Sequence, residues 1–596
     1  MITEPSCPAV ASVATAAAPR GRRITRGATA LARRHWMLVI LLTAGVGLRV
    51  ITQVAYRPAL FYIDSYKYLT GSAGNDPEGY RFLMAPILWA GNLAVVPALQ
   101  HLLGLAMGLA IYTVLIRRGA PRWAGALAAA PVLLDAYQLQ MEQTIMPDVF
   151  FEAFIVAGLT ILLWTPRPSL KRLMAGALVL GLATDLRQIG EVLIIPAAVF
   201  AVLVARGGWR QRARYLVVGL ISCAIPMLVY MTVSAASGAG FTLAAHRTNV
   251  LYGRAADAAS CSTLKLPADE QALCPTPAQK AAGIDGIIND ASGSYQMFRP
   301  PPGQSTAAMS GNFAVRVAQQ QPLAIPLSTL RDAARLFALT RDGTSSITPI
   351  SRWQFQPTYA TYPPGVTLKF VAEQAQKYGG GDPVTIRPLA TFLRAYQLDG
   401  GYTPGPLLAV LTAAGLAGSL FVFTRRRQDP RPASPSGAIP DPPRAGPDAR
   451  TGPEARTSPD VQLLAAGTAL ATLTAVTVVL GSDLYEFSWR YQLPALVTLP
   501  LAGVLGGTLI AGRLRARRDR TAVPRARAAA SPARTAVSPD RRSAPQDLAA
   551  VQRDCAAGRQ DRIPGRHRHP GHQNRRRPGS TAGRLSGESH QDHRAG

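Results

Sequence analysis

The residues in this sequence able to do chemistry sit at the edges of long apolar segments. The stretch "FYIDSYKYL" (61–69) sets a lone carboxylate, Asp64, among aromatic residues, with Tyr66 two positions on. "YRF" (80–82) supplies Arg81, "EQTIMPD" (142–148) supplies Glu142 and Asp148, "TDLRQ" (184–188) supplies Arg187, and "WRYQLP" (489–494) supplies Arg490 and Tyr491. A carboxylate can take a proton from a hydroxyl or balance developing positive charge, and a guanidinium can grip an oxyanion through two hydrogen bonds. Ionisable groups near a bilayer are costly unless paired or hydrated. Asp64, Asp135, Glu142, Asp148, Asp185, Glu191, Asp483 and Glu486 all fall toward one end of the apolar segments, and their gathering there predicts a polar cavity opening on that face. A plain interfacial-loop role stands beside this reading, with equal weight for Asp135, Asp185, Asp483 and Glu486.

The elements that must position these residues are membrane helices. The 596-residue chain has a formal charge of +29 and a hydrophobic fraction of 48%, with its apolar residues in long blocks and its arginines between them. That is the pattern of a multi-span membrane protein in contact with a lipid bilayer, and the clustering of the basic residues argues against a nucleic-acid partner. About ten segments approach the length of a span, near 36–56, 92–116, 123–139, 147–164, 172–186, 189–205, 214–234, 404–424, 461–481 and 491–511. Basic clusters before the first span and at "RRGAPR" (117–122), "RPSLKR" (167–172), "RGGWRQRAR" (206–214), "RRR" (425–427) and "RLRARRDR" (513–520) then all fall on one side. The excess of basic residues on cytoplasmic loops makes that side the cytoplasm, with both termini inside and the acids outside, in the plasma membrane. The N-terminal stretch has no short apolar core with a small-residue cleavage site and reads as a tail.

Residues 1–35 are thus expected as a disordered cytoplasmic tail, 36–234 as the first seven spans, 235–403 as an extracytoplasmic module and 404–424 as a further span. Residues 425–460 read as a Pro-rich cytoplasmic linker, 461–511 as the last two spans, and 512–596 as a disordered basic tail. The segment 80–93 is too short to span and reads as a helix lying in the interface. Helical patterns at 329–342, 365–379 and 386–398 make the outer module α-rich. In an oxidising compartment Cys261 and Cys274 predict a disulfide, since His246 is the only histidine near enough for a zinc alternative. A phosphate-cradling glycine loop at a strand–helix junction is missing, as is a soluble α/β domain for a nucleotide-linked substrate.

The early "IDSYKY", the interfacial helix preceded by "PEGYRF", the outer "EQTIMPD", the short fifth span ending in "TDLRQ" and the late "WRYQLP" together resemble the GT-C fold of polyprenyl-phosphate-dependent membrane glycosyltransferases. The closer likeness is to the branch of protein O-mannosyltransferases and aminoarabinose transferases, over residues 36–234 and 404–511. The resemblance implies an all-α polytopic fold of about ten transmembrane helices with a small outer module, and a polyprenyl-phosphate-linked sugar donor. It also implies an envelope polysaccharide, lipid or protein as acceptor. It makes Asp64 the catalytic base, Arg490 and Tyr491 the phosphate end of the donor site, and Arg81 a residue under the active site, with Tyr66 able to stack on sugar. The family often pairs two acids where this chain has Asp64 and Ser65, so a divalent metal ion is left open. Glu142 or Asp148 is expected to bind acceptor or metal, Asp148 equally to cap the fourth span, and Arg187 equally to serve structure or binding. Trp489 is expected at the membrane interface. The rival classes are a transporter or flippase of a lipid-linked sugar, and an envelope-assembly scaffold in which Asp64 and Arg490 would lie apart.

Overall fold

In hydrocarbon every backbone N–H and C=O must be satisfied within its own segment, so long apolar runs fold as helices. The computed structural model describes residues 30, 32–71, 76–243, 247–341, 343, 347–423 and 458–529. Ten helices answer to the apolar segments: α1 (Trp36–Ala55), α2 (Val95–Arg117), α3 (Arg122–Leu134), α4 (Asp148–Leu163), α5 (Leu170–Leu182), α6 (Ile194–Val204), α7 (Trp209–Ala236), α8 (Gly405–Leu420), α9 (Ser458–Tyr485) and α10 (Pro494–Ala529). Six of them, α1, α2, α7, α9, α10 and α8 together with the turn Phe421–Phe423 that extends it to 19 residues, are long and apolar enough to cross a membrane. The other four are 11 to 16 residues long. At 1.5 Å per residue they cover about 17–24 Å, short of a hydrocarbon core of about 30 Å. The expected ten full spans are therefore carried by length in six cases only.

Burial separates the inner helices from the outer ones. The apolar windows of α9 and α10 are 72% and 67% buried, against 22%, 22% and 17% for α1, α7 and α8, which turn bare apolar side chains outward. Residues such as Val46, Val50, Ile221, Val229 and Val410 form that exposed surface, as a lipid-facing helix requires. Small residues bring helices close where they must pack: a Cβ on Gly418 of α8 would lie 2.5 Å from the Cα of Gly506 in α10. The helix Gly79–Trp89 buries Tyr80, Met84 and Leu88, four residues apart, and exposes Phe82 and Trp89, the amphipathic pattern of a helix lying at an interface.

Within 235–403 the described residues are mostly helical. The part from Tyr252 to Val317 has a core of its own around Tyr252, Leu273, Ile287 and Phe313, while later residues such as Leu336, Trp353 and Phe370 pack into the core of the bundle. Cys261 and Cys274 are joined by a disulfide with a Cα separation of 6.0 Å. The module is stitched to the helix bundle by an antiparallel pair of two-residue strands, β1 (Tyr56–Arg57) and β2 (Val384–Thr385), and by Phe355 stacked on Tyr56. By its contacts the chain divides after Ala526, and the site described below lies wholly in the first unit. Helix α10 continues to Ala529, past residue 512 where the sequence places the start of a disordered tail, because alanine and arginine are strong helix formers. The rest of that tail, residues 425–457 of the linker expected at 425–460, the tail at 1–29, Cys7 and Cys555 lie outside the described residues, and α9 begins at Ser458, inside the stretch expected as linker.

Candidate functional site

Four segments at one end of the bundle bring the charged residues together, one of them the turn between α5 and α6 that carries Arg187. The segment carrying Asp64 is strapped to residues 143–145: Leu60 N–H donates to the Gln143 carbonyl at 2.9 Å, Ile145 N–H to the Leu60 carbonyl at 2.9 Å, and Ser65 Oγ to the Ile145 carbonyl at 2.9 Å. Asp148 opens α4 directly after Pro147. Arg490 sits in the tight turn between α9 and α10, closed by Tyr491 N–H donating to the Ser488 carbonyl at 2.8 Å.

Arg490 is clamped between two carboxylates contributed from far along the chain. Its Nη1 donates to Asp64 Oδ2 at 2.9 Å, and its Nε to Asp148 Oδ1 and Oδ2 at 3.1 and 3.2 Å. Arg187 donates to Asp148 as well, and both guanidiniums lie over the Tyr491 ring, at 4.7 and 5.3 Å from its centroid. Lys67 completes the set, 3.2 Å from Asp64 Oδ1 and paired with Asp76. Burial alone would raise the Asp64 carboxyl, but Lys67 and Arg490 outweigh it and hold the group well below the usual carboxylate range. The Asp64 carboxylate is therefore ionised at any working pH.

This cluster lines a cavity of about 490 Å³ together with Asp285, Thr348, Arg352 and Trp353 from the 235–403 segment, the Trp353 ring centroid lying 5.5 Å from the Arg490 guanidinium. Glu486 also lines it, accepting from Thr348 Oγ1 at 2.8 Å, and burial followed by the charge of Asp285 pushes its carboxyl up to about 8. Two polar atoms in the wall, Trp353 Nε1 and Ser488 Oγ, are buried without a hydrogen-bond partner among the described residues. Leaving such a group unmade costs about 1–3 kcal/mol, a price that active sites commonly carry.

The structure thus unites Asp64, Asp148, Arg187, Arg490 and Tyr491, and separates three other expected site residues from them. Glu142 is fully enclosed inside the bundle, with one oxygen 2.8 Å from Arg49 Nη2 and the other 2.8 Å from His101 Nδ1, so it has none to offer a ligand. Gly104 makes room for that pair, since a Cβ there would fall 2.0 Å from Glu142 Oε1. The Glu142 side chain points inward from helix Ala136–Gln143, while Asp148 lies beyond the turn at Pro147. Arg81 reaches back to Glu78 at 3.4 Å and does not line the cavity. Tyr66 packs on Phe370, with ring centroids 5.0 Å apart, and does not line it either. Asp135 caps helix Ala136–Gln143 and binds Arg341 at 2.8 Å, a structural role, and Trp489 is buried rather than set at a membrane interface.

Among the described residues no group of three or more His, Cys, Asp or Glu is placed to hold a metal ion. The donor set around Asp64 does not fit a divalent ion: each carboxylate oxygen already faces a cation, and the next residue is Ser65. Sequence reading missed Lys67 and Arg352. The first was legible, three residues after Asp64 in the short helix Ser65–Thr70 that Asp64 precedes; the second comes from the module and had no local signal.

No family model matches the chain, and no curated protein does. Among solved structures, an S. cerevisiae protein O-mannosyltransferase complex bound to the sugar donor matches with 14% identity over 36% of this chain and a TM-score of 0.28. The match spans 35% of that chain, and a likeness of this degree carries no argument about fold or activity. What the helices and the site define by themselves is a helical membrane protein with an ionic cavity at one end of its bundle.

Proposed function

We propose that this chain is an integral membrane glycosyltransferase of GT-C type. It moves a sugar from a polyprenyl-phosphate donor to an envelope polysaccharide, lipid or protein acceptor on the extracytoplasmic face of the plasma membrane. The observation that supports this reading is the meeting of Asp64 and Arg490, from opposite ends of the chain, at 2.9 Å in the wall of the cavity.

In the reaction, the acceptor oxygen attacks the anomeric carbon, the bond from that carbon to the phosphate oxygen breaks, and the prenyl phosphate departs with the bonding electron pair. The acceptor hydroxyl loses its proton as the new bond forms, and Asp64 receives it. Because the carboxylate is always ionised, it also faces the positive charge that builds on the sugar ring in the transition state. Arg490 and Arg187 fix Asp64 and Asp148 in place rather than waiting free for a ligand.

Purified protein in proteoliposomes, supplied with a polyprenyl-phosphate sugar labelled in the sugar, tests this reading. Label should pass to an envelope acceptor and prenyl phosphate should accumulate in equal amount. Movement of intact donor across the bilayer without cleavage would favour a transporter instead.

A further inference from the structure

The cations of the cavity are not equally available. Lys67, Arg187 and Arg490 face Asp64, Asp76 and Asp148, three charges against three, and their side chains are 18%, 14% and 4% exposed. An incoming anion finds no spare positive charge there. Arg352, on the short turn Ile350–Trp353 of the module, is different: its side chain is 30% exposed, and it lines the same cavity.

Its contacts are few. Nη1 donates to the Tyr62 hydroxyl at 3.3 Å and lies 3.5 Å from Asp285 Oδ2, a carboxylate that is itself 35% exposed. The first partner is neutral, and the second is distant and screened by solvent. Among the described residues nothing holds Nη2 or Nε, so one edge of the guanidinium fork is open. A second, independent feature points the same way: Trp353 Nε1, which can only donate, and Ser488 Oγ are buried in the cavity wall without partners. An open guanidinium and an unused indole N–H in the lining of one cavity suit a ligand group whose oxygens only accept.

We propose that Arg352 is the anion-binding residue of the cavity, gripping the phosphate of the lipid-linked donor. This rests on the glycosyl-transfer reading above and assigns the phosphate contact, expected from sequence at Arg490, to the module. The donor headgroup would then lie in the cavity, with the phosphate toward Arg352 and the anomeric carbon toward Asp64. The module is on this account a working half of the site.

Binding of farnesyl phosphate to the full chain in detergent, measured by titration calorimetry with farnesol as the phosphate-free control, tests the assignment. Wild type should bind the phosphate and not the alcohol at the same concentration. Arg352→Gln should weaken binding by about ten- to a hundredfold, and Arg352→Lys, which keeps charge but loses the fork, by less. Lys369→Gln, a fully solvated cation outside the cavity, should change nothing. Unchanged affinity in Arg352→Gln, where wild type discriminates phosphate from alcohol, overturns the assignment and leaves the lipid-phosphate reading standing. Should Arg352→Gln fail to fold, unchanged affinity in Arg352→Lys overturns it equally. A wild type that treats the phosphate and the alcohol alike overturns the lipid-phosphate reading, and the assignment with it.

Discussion

Arg490→Ala removes the guanidinium that joins the two ends of the chain, and its cost follows from the contacts. The side chain is 4% exposed and makes hydrogen bonds of 2.9, 3.1 and 3.2 Å to two carboxylates. Without it Asp148, 3% exposed, keeps only Arg187, and Asp64, 27% exposed, keeps only Lys67. Breaking a buried ion pair from one side costs about 3–5 kcal/mol, because a charge stays buried with too little compensation. Most of that cost falls on Asp148, since water can reach Asp64 and screen it. Adding Asp148→Asn to Arg490→Ala removes the stranded charge and should restore about 1–3 kcal/mol of the loss. The assay is denaturant unfolding of each variant in the same detergent, with the double-mutant cycle giving the coupling. An Arg490→Ala protein within about 0.5 kcal/mol of wild type, the range of ordinary surface substitutions, would refute the clamp.

Three further outcomes are expected. Mass spectrometry of non-reduced digests should find Cys261 bonded to Cys274, and Cys261→Ser should destabilise the module by about 3 kcal/mol for a loop of this length; two free thiols would contradict the assignment. Glu486, raised to about 8 by burial and Asp285 against the opposing pull of Thr348, Arg254 and Arg352, binds a proton in the folded chain that the unfolded chain has lost above about 4.5. The contribution of this group to stability should therefore fall as pH rises from about 4.5 to 8 and level off beyond, so Glu486→Gln, followed by the same unfolding assay, should lose stability less steeply than wild type across that window; parallel curves would refute the shift. A cysteine introduced within 430–455 should escape a membrane-impermeant thiol reagent in intact cells if that linker is cytoplasmic, as the basic clusters in the sequence predict, and labelling there would reverse the expected topology.

Much of the site was legible because ionisable residues are rare at the ends of apolar helices and are retained there only when they pair or work. That logic reached Asp64, Asp148, Arg187 and Arg490, which do meet. It misjudged Glu142 because nearness in sequence to Asp148 says nothing about which way each side points, and Arg49, its buried partner, lies 93 residues earlier inside an apolar helix. Arg352 was out of reach because only the folding of the module over the bundle brings it to Tyr62, 290 residues away in sequence. Helix positions followed from hydropathy, but α3 to α6 are too short for full spans: a helix enclosed by neighbours need not match the bilayer alone.

The account stands or falls on Asp64. Asp64→Asn keeps the size of the side chain and removes the charge and the proton acceptor. In proteoliposomes holding equal amounts of folded protein, sugar transfer from the polyprenyl-phosphate donor should drop by about 10²- to 10⁴-fold while donor binding persists. Transfer at the wild-type rate would contradict the glycosyltransferase mechanism.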